Sequence, residues 1–176
     1  MKYLALLRGI NVGGNAPVNM AKLKEVCIKT GFTNVLTYIN SGNVLFESKE
    51  HDSTRLTKEI EELLQKNFFA MKTVILSYEE LQQVMKHTPN TWKTEDLRKY
   101  IAFIKPPSSP EDVIKEVQLK EDIDFIDPGP GVVYMSTKMN GLTKSNFPKL
   151  ITKKVYKDIT MRNYNTVEKL FTLMEK

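Results

Sequence analysis

The sequence predicts an α+β fold with two tandem ferredoxin-like units, each a βαββαβ unit followed by an extra helix. Two observations lead to this prediction. Residues 1–88 show hydrophobic patterns in the order strand, helix, strand, strand, helix, strand, helix. The same order recurs after a linker at residues 89–96, which places the second unit at residues 97–176.

Strand and helix patterns alternate clearly in the first unit. Its strand-like stretches are residues 2–8, 34–39, 44–47 and 73–76. Apolar residues at helical spacing predict a helix from Met20 to Cys27 and another over residues 56–68. Ser77 and Glu80 then form a capping box, which predicts the start of the extra helix.

The second unit repeats these signals in order. RKYIAFIK at residues 98–105 echoes MKYLALLR at residues 1–8. A helix is predicted from Ser109-Pro110, since Pro is favoured at the first helical position. The remaining predictions are a strand and turn at 125–131, a strand at 132–135, a helix at 147–151, a strand at 158–161 and a final helix capped by Asn165 and Glu168.

Composition bounds the class of protein. Hydrophobic residues make up 41% and charged residues 27%, which is ordinary for a globular protein. The single cysteine, Cys27, excludes an internal disulfide and fits a reducing compartment. Without an export signal or an apolar run of about 20 residues, we expect a cytoplasmic protein. The net charge of +5 is weak evidence about partners, because the densest basic run, residues 149–157, has the pattern of the solvated face of a helix.

A glycine-rich loop follows the first strand and is the best candidate for a site. In a ferredoxin-like unit, the loop after the first strand and the turn between the second and third strands lie at the same end of the sheet. We therefore expect Arg8 and residues 9–15 to lie close to residues 40–43. In the second copy, prolines replace the amides: Lys105-Pro106-Pro107 would face residues 127–131.

The residue types in this loop suit anion binding. Gly13 and Gly14 let backbone amides point into a concavity, and the Arg8 guanidinium matches phosphate or carboxylate. The alternative is structural: the glycines merely turn the chain, and Asn43 occupies a left-handed turn position. The spacing matches neither the nucleoside-triphosphatase phosphate loop nor G-x-G-x-x-G.

A second polar cluster, Arg162-Asn163-Tyr164-Asn165-Thr166, lies where the last strand meets the last helix. Helix N-termini favour anions, but the cluster could equally be a structural corner. Neither His51 nor His87 has a partner for nucleophilic catalysis, and no residue spacing suggests a metal site. No reaction and no cofactor can be assigned.

Three separated motifs carry a family resemblance. They are LRGINVGG at residues 7–14, YINSGNV at 38–44 and RNYNTV at 162–167. With these, the chain resembles the bacterial domain-of-unknown-function family numbered 1697. The resemblance implies that the motifs go together, so the predicted ligand-binding residues are Arg8, Asn11, Gly13, Gly14, Ser41, Gly42, Asn43, Arg162, Asn163 and Thr166. The chain has Tyr164 where the family often has Trp.

Three functions remain open at this stage. The leading hypothesis is a protein, either a binding protein or an enzyme, that binds an anionic small molecule such as a nucleotide or phosphorylated metabolite at the Arg8 loop, with Arg162 and Asn163 completing the site. The second is nucleic-acid binding through the sheet or the basic surface. The third is a structural or interaction module without a ligand. No membrane partner is expected, and the sequence does not indicate an oligomeric state.

Overall fold

A computed structural model describes residues 1–11, 17–93 and 96–176. The first part of the chain forms strand β1 (Lys2–Leu7), helix α1 (Met20–Lys29), strands β2 (Thr33–Tyr38) and β3 (Asn43–Glu47), helix α2 (Ser53–Asn67), strand β4 (Thr73–Ser77) and helix α3 (Tyr78–Lys86). The strands make one antiparallel sheet in the order β2-β3-β1-β4.

The second part begins with a short 3₁₀ segment, Asn90–Lys93. It continues with strand β5 (Leu97–Ile104), helix α4 (Pro110–Glu116), strands β6 (Asp124–Gly129) and β7 (Val132–Lys138), strand β8 (Ile159–Asn163) and helix α5 (Tyr164–Glu175). A second antiparallel sheet has the order β6-β7-β5-β8. The fold class is thus α+β with two four-stranded antiparallel sheets.

The chain forms two compact units: unit 1 comprises residues 1–82 and 169–176, and unit 2 comprises residues 83–168. The last residues of α5 belong to unit 1, where Phe171 stacks on Tyr78 with 5.6 Å between ring centroids. The Lys2 ammonium also donates to the Met174 carbonyl at 2.8 Å. The boundaries predicted from the sequence, with a linker at 89–96, stay a prediction.

Local sequence explains where the helices begin. Asn19 caps α1 by accepting from the Lys22 amide, and Asp52 caps α2. The capping box predicted at α3 is confirmed, since the Ser77 amide donates to Glu80 and the Glu80 amide donates back to Ser77.

Both sheets bury both of their faces. In unit 1, Tyr3, Ala5 and Leu7 pack in a core with α1 and α2, and the alternate residues Leu4 and Leu6 are also fully buried. Such strands read as continuous apolar runs, which is the pattern of residues 2–8.

The helix predicted at residues 147–151 is a short 3₁₀ helix and not an α-helix like α2. Three consecutive 3₁₀ segments, Met139–Lys144, Phe147–Thr152 and Lys154–Asp158, connect β7 to β8 instead. Pro148 suits only the first turn of a helix, and extended backbone at Ser145 and Lys153 breaks the chain into short turns.

A buried carboxylate ties these turns to the sheet. Asp124, at the start of β6, accepts from the Ser145 hydroxyl at 2.6 Å, the Asn146 amide at 2.8 Å, the Thr137 hydroxyl at 3.0 Å and the Lys120 amide at 3.1 Å. These bonds replace part of the packing that a helix would provide. No feature of the sequence distinguishes Asp124 from a surface acid.

Candidate functional site

The loop after β1 and the turn between β2 and β3 lie together, as the sequence predicts. The Leu7 amide donates to the Gly42 carbonyl at 2.8 Å, and the Arg8 amide donates to the Lys72 carbonyl at 3.0 Å. Arg8 thus leaves the sheet between the turn and the segment that leads into β4. Its side chain is half-buried.

Gly42 lets the turn approach β1 closely. Its φ is +76°, and a Cβ built on it would lie 2.8 Å from the Leu7 Cβ and 2.9 Å from the Ile10 Cδ1. Both the backbone conformation and the contact distance therefore require glycine at this position. The motif glycine at 42 has a structural reason that is independent of any ligand.

Asn11 fastens the loop at both of its described ends. Its side-chain nitrogen donates to the Asn40 carbonyl at 2.8 Å and to the Val18 carbonyl at 3.1 Å, while its oxygen accepts from the Val18 amide at 2.8 Å. This residue therefore positions the loop against the turn, and both of its side-chain N–H groups are already used within the chain.

Asn43 and Ser41 close the turn itself. Asn43 is fully buried, and its side chain donates to the Tyr38 carbonyl at 3.0 Å and to the Ser41 hydroxyl oxygen at 2.9 Å. Ile39 has a φ of +48°, which is strained for a β-branched residue. The turn is thus a tightly determined structure.

A cleft of about 620 Å³ opens at this end of unit 1. It is lined by Asn11, Asn40 and residues 17–21, which include the cap and first residues of α1. The first turn of α1 contains no acidic residue, so the positive end of the helix dipole is not neutralised there. Over residues 1–46 the chain carries five basic residues and one acidic residue: Lys2, Arg8, Lys22, Lys24 and Lys29 against Glu25.

Gly13 and Gly14 lie outside the described residues. Two residues that line the cleft, Asn40 and Asn19, are not among the ligand-binding residues predicted from the sequence. Asn19 could have been found from its position, because an Asn directly before an amphipathic pattern is a helix cap. Asn40 contributes its backbone carbonyl to Asn11, and a backbone contact leaves no signal in residue type.

The second predicted cluster lies at the junction of β8 and α5. Asn163 is exposed and caps α5, because its side-chain oxygen accepts from the Asn165 amide at 3.0 Å. The prediction that Asn165 is the cap is wrong by two residues. Thr166 is half-buried in the first turn of the helix.

Arg162 is a buried arginine on β8, with only 9% of its surface exposed. One of its guanidinium nitrogens donates to the Met161 carbonyl at 2.9 Å. Burial lowers the pKa of Arg162 to about 10, because the charged form loses its hydration. The register puts it in a buried row with Ile101 and Tyr134.

Aromatic side chains surround the same part of unit 2. Trp92 makes edge contacts with Tyr134 and Tyr164, at 5.7 Å and 5.0 Å between centroids. The Tyr134 hydroxyl donates to the Val84 carbonyl at 2.6 Å. Burial raises the pKa of Tyr164 to about 12, with Glu168 adding to the shift. Tyr164, where the family often has Trp, thus packs against Trp92.

Among the described residues, no group of three or more His, Cys, Asp or Glu side chains could hold a metal ion. No helix in the described part of the chain is long and apolar enough to cross a membrane.

Comparison with known proteins gives a family and a structural relative. No curated protein matches the chain. A solved structure, described as "The structure of conserved bacterial protein SP0830 from Streptococcus pneumoniae", is similar over 98% of both chains with 27% identity and a TM-score of 0.87. The family model described as "Protein of unknown function (DUF1697)" matches residues 1–134. The chain therefore belongs to the DUF1697 family.

Proposed function

We propose that each four-stranded sheet belongs to a ferredoxin-like unit, so that the chain is a tandem pair with an extra helix after each unit. The strand orders β2-β3-β1-β4 and β6-β7-β5-β8 support this proposal. In each case the first and second strands of the unit lie on either side of the third, which is antiparallel to both.

We infer that unit 1 binds an anionic small molecule, such as a nucleotide or phosphorylated metabolite, at the end of its sheet. One observation carries this proposal: the cleft of about 620 Å³ is lined by Asn11 before residues 12–16, by Pro17 after them, and by Asn40 of the β2–β3 turn. Its volume falls in the range of small-molecule sites. The backbone groups of residues 17–21 and the polar residues Asn11 and Asn40 border it.

The charge around the cleft supports an anionic ligand. The N-terminus of α1 borders the cleft and carries no acidic side chain in its first turn. In this proposal, Arg8 supplies the guanidinium, Gly13 and Gly14 supply backbone amides, and Ser41, Gly42 and Asn43 fix the turn whose residue Asn40 lines the cleft. Arg162, Asn163 and Thr166 belong to the proposed set through their shared motif.

The proposal is tested by thermal shift with inorganic phosphate, AMP, ATP and a sugar phosphate as probes. At a ligand concentration of about 100 Kd, binding stabilises the folded state by about 2.7 kcal/mol, which raises Tm by roughly 5 to 10 °C. We expect Arg8→Gln to remove most of this shift. The matched control is Lys105→Gln, since Lys105 holds the equivalent position in unit 2. Equal shifts in wild type and Arg8→Gln for every probe would reject the site.

A further inference from the structure

The turns between β7 and β8 carry a concentrated positive charge. Residues 144–157 contain five lysines and no acidic residue. We call this stretch the lysine segment; its basic residues are Lys144, Lys149, Lys153, Lys154 and Lys157. All five are exposed except Lys153, which is half-buried. Within the described residues, none of them forms an ion pair.

The lysine segment accounts for the whole excess charge of the chain. The formal net charge is +5, and the segment contributes five positive charges, so the remaining residues sum to zero. Four of these lysines lie at residues 149–157, the densest basic run of the sequence. A cluster of positive charge without acidic residues is the electrostatic signature of a polyanion-binding surface.

The backbone of the segment presents these lysines to solvent. Leu150 and Val155 are buried in the core of unit 2 and hold the turns on the sheet. Residues three apart in a 3₁₀ helix lie on the same side, so Lys154 and Lys157 share a side of the last turn. The next acid, Asp158, is buried and accepts from the Ser108 hydroxyl at 3.0 Å.

The equivalent connection in unit 1 has a balanced charge. Helix α2 lies between the third and fourth strands of unit 1, as the lysine segment does in unit 2. It carries three basic and three acidic residues. There, Lys58 lies 3.9 Å from Glu62, and Arg55 lies 3.8 Å from Asp52. Covering a sheet at this position thus does not require an excess of lysine.

We propose that the lysine segment binds the phosphate backbone of a nucleic-acid duplex. Lysine offers a point charge without the planar fork that reads bases, so the contacts would be independent of base sequence. The two aromatic residues of the segment, Phe147 and Tyr156, pack against the core of unit 2. They present no free ring for base stacking, which favours a duplex over a single strand.

An anionic membrane surface fits the segment less well. Ile151 is its one exposed large apolar residue, with 63% of its surface exposed. A surface helix that binds membranes buries a broad apolar face in addition to its charges. The lysine segment has no helix to provide such a face.

The test measures fluorescence anisotropy of labelled 20-base-pair DNA and RNA duplexes, the single strands and anionic vesicles, with the full chain. Three to five phosphate contacts predict that duplex affinity falls roughly 40- to 500-fold between 50 and 200 mM salt. The triple variant Lys149→Gln, Lys154→Gln, Lys157→Gln should weaken duplex binding at least tenfold and reduce the salt slope by about 2.7. Comparison of the affinities for the DNA and RNA duplexes identifies which duplex is preferred.

The matched control replaces three exposed lysines elsewhere, Lys58→Gln, Lys66→Gln and Lys115→Gln, with the same change in net charge. We expect it to bind the duplex within twofold of wild type, and both variants to keep the wild-type Tm. The proposal is overturned by no duplex binding at 50 mM salt, by equal losses in both triple variants, by tighter binding of single strands, or by binding to vesicles alone.

Discussion

The ends of the two sheets share two backbone hydrogen bonds and differ in the length and packing of the turn beside them. At the end of β1, the Leu7 amide donates to the Gly42 carbonyl at 2.8 Å. At the end of β5, the Ile104 amide donates to the Gly131 carbonyl at 3.1 Å. Both glycines have positive φ, +76° and +70°. In each unit a glycine of the turn therefore meets the same strand end, although residues 39–42 connect β2 to β3 and only residues 130–131 connect β6 to β7.

A second hydrogen bond repeats one residue further along the chain. The Arg8 amide donates to the Lys72 carbonyl, and the Lys105 amide donates to the Asp158 carbonyl, at 3.0 Å and 2.8 Å. Since the two donors and two acceptors at one end correspond in register to those at the other, Arg8 and Lys105 occupy equivalent positions. Their surroundings differ in side chains and in the length of the neighbouring turn.

The difference lies in how closely the turn is packed. In unit 1, Gly42 lies against Leu7 and Ile10, and Asn11 bonds to the turn. In unit 2, nothing lies within 4 Å of a Cβ built on Gly131. The comparison shows that two backbone hydrogen bonds are preserved at this end, while the turn of unit 1 is longer and is bonded by Asn11.

The largest expected effect is the difference between alanine substitutions of the two glycines in the free energy of unfolding that each one costs. Gly131→Ala should lower the free energy of unfolding by about 1 kcal/mol, the cost of an L-residue at positive φ. Gly42→Ala should cost about 4 kcal/mol, because a clash with the Leu7 Cβ is added to the same backbone cost. Urea denaturation of both variants measures the difference. Equal losses would mean that the close approach of the turn to β1 contributes nothing.

The next difference concerns the connection that follows the third strand, which is a helix in unit 1 and a set of 3₁₀ turns in unit 2. Asp124→Ala leaves buried donors from Thr137, Ser145 and Asn146 without their acceptor. We expect a loss of about 3 kcal/mol in the free energy of unfolding. Asp127→Ala, at an exposed position of the same strand, should change it by less than about 0.5 kcal/mol.

Protease sensitivity offers a second measurement on these two variants. If Asp124 holds the turns on the sheet, trypsin should cleave Asp124→Ala within residues 144–157 faster than wild type, since five lysines lie there. Cleavage at wild-type rates, with unchanged stability, would show that Leu150 and Val155 anchor the turns without the carboxylate.

The order of elements could be predicted because each strand and most helices carry a local signal. Buried strands such as β1 appear as apolar runs, and helix α3 has both halves of its capping box in the sequence. The adjacency of the Arg8 loop and residues 40–43 followed from strand order alone. Local chemistry and topology were sufficient there.

The missed features depend on tertiary contacts. The apolar spacing of Phe147, Leu150 and Ile151 fits one turn of an α-helix as well as a 3₁₀ turn, and the bonds to Asp124 come from outside the segment. Likewise, the sequence predicts Asn165 as the cap of α5, and only the end of β8 places Asn163 there instead. The donors assigned to Asn11 are used by loop closure.

The smallest expected effect concerns a buried cross-strand pair of residues that is apolar in unit 1 and contains a charged residue in unit 2. Leu4 pairs with Leu76 in the first sheet, while Ile101 pairs with Arg162 in the second. Burial lowers the pKa of Arg162 to about 10, so its charge is held at a cost in hydration.

We therefore expect Arg162→Leu, which copies the residue of unit 1, to keep the free energy of unfolding within about 1 kcal/mol of wild type or to raise it. Chemical denaturation at pH 7 measures this. A loss of about 3 kcal/mol would instead mean that the hydrogen bonds of the guanidinium, such as that to the Met161 carbonyl, outweigh the cost of its burial, so that Arg162 is a structural residue.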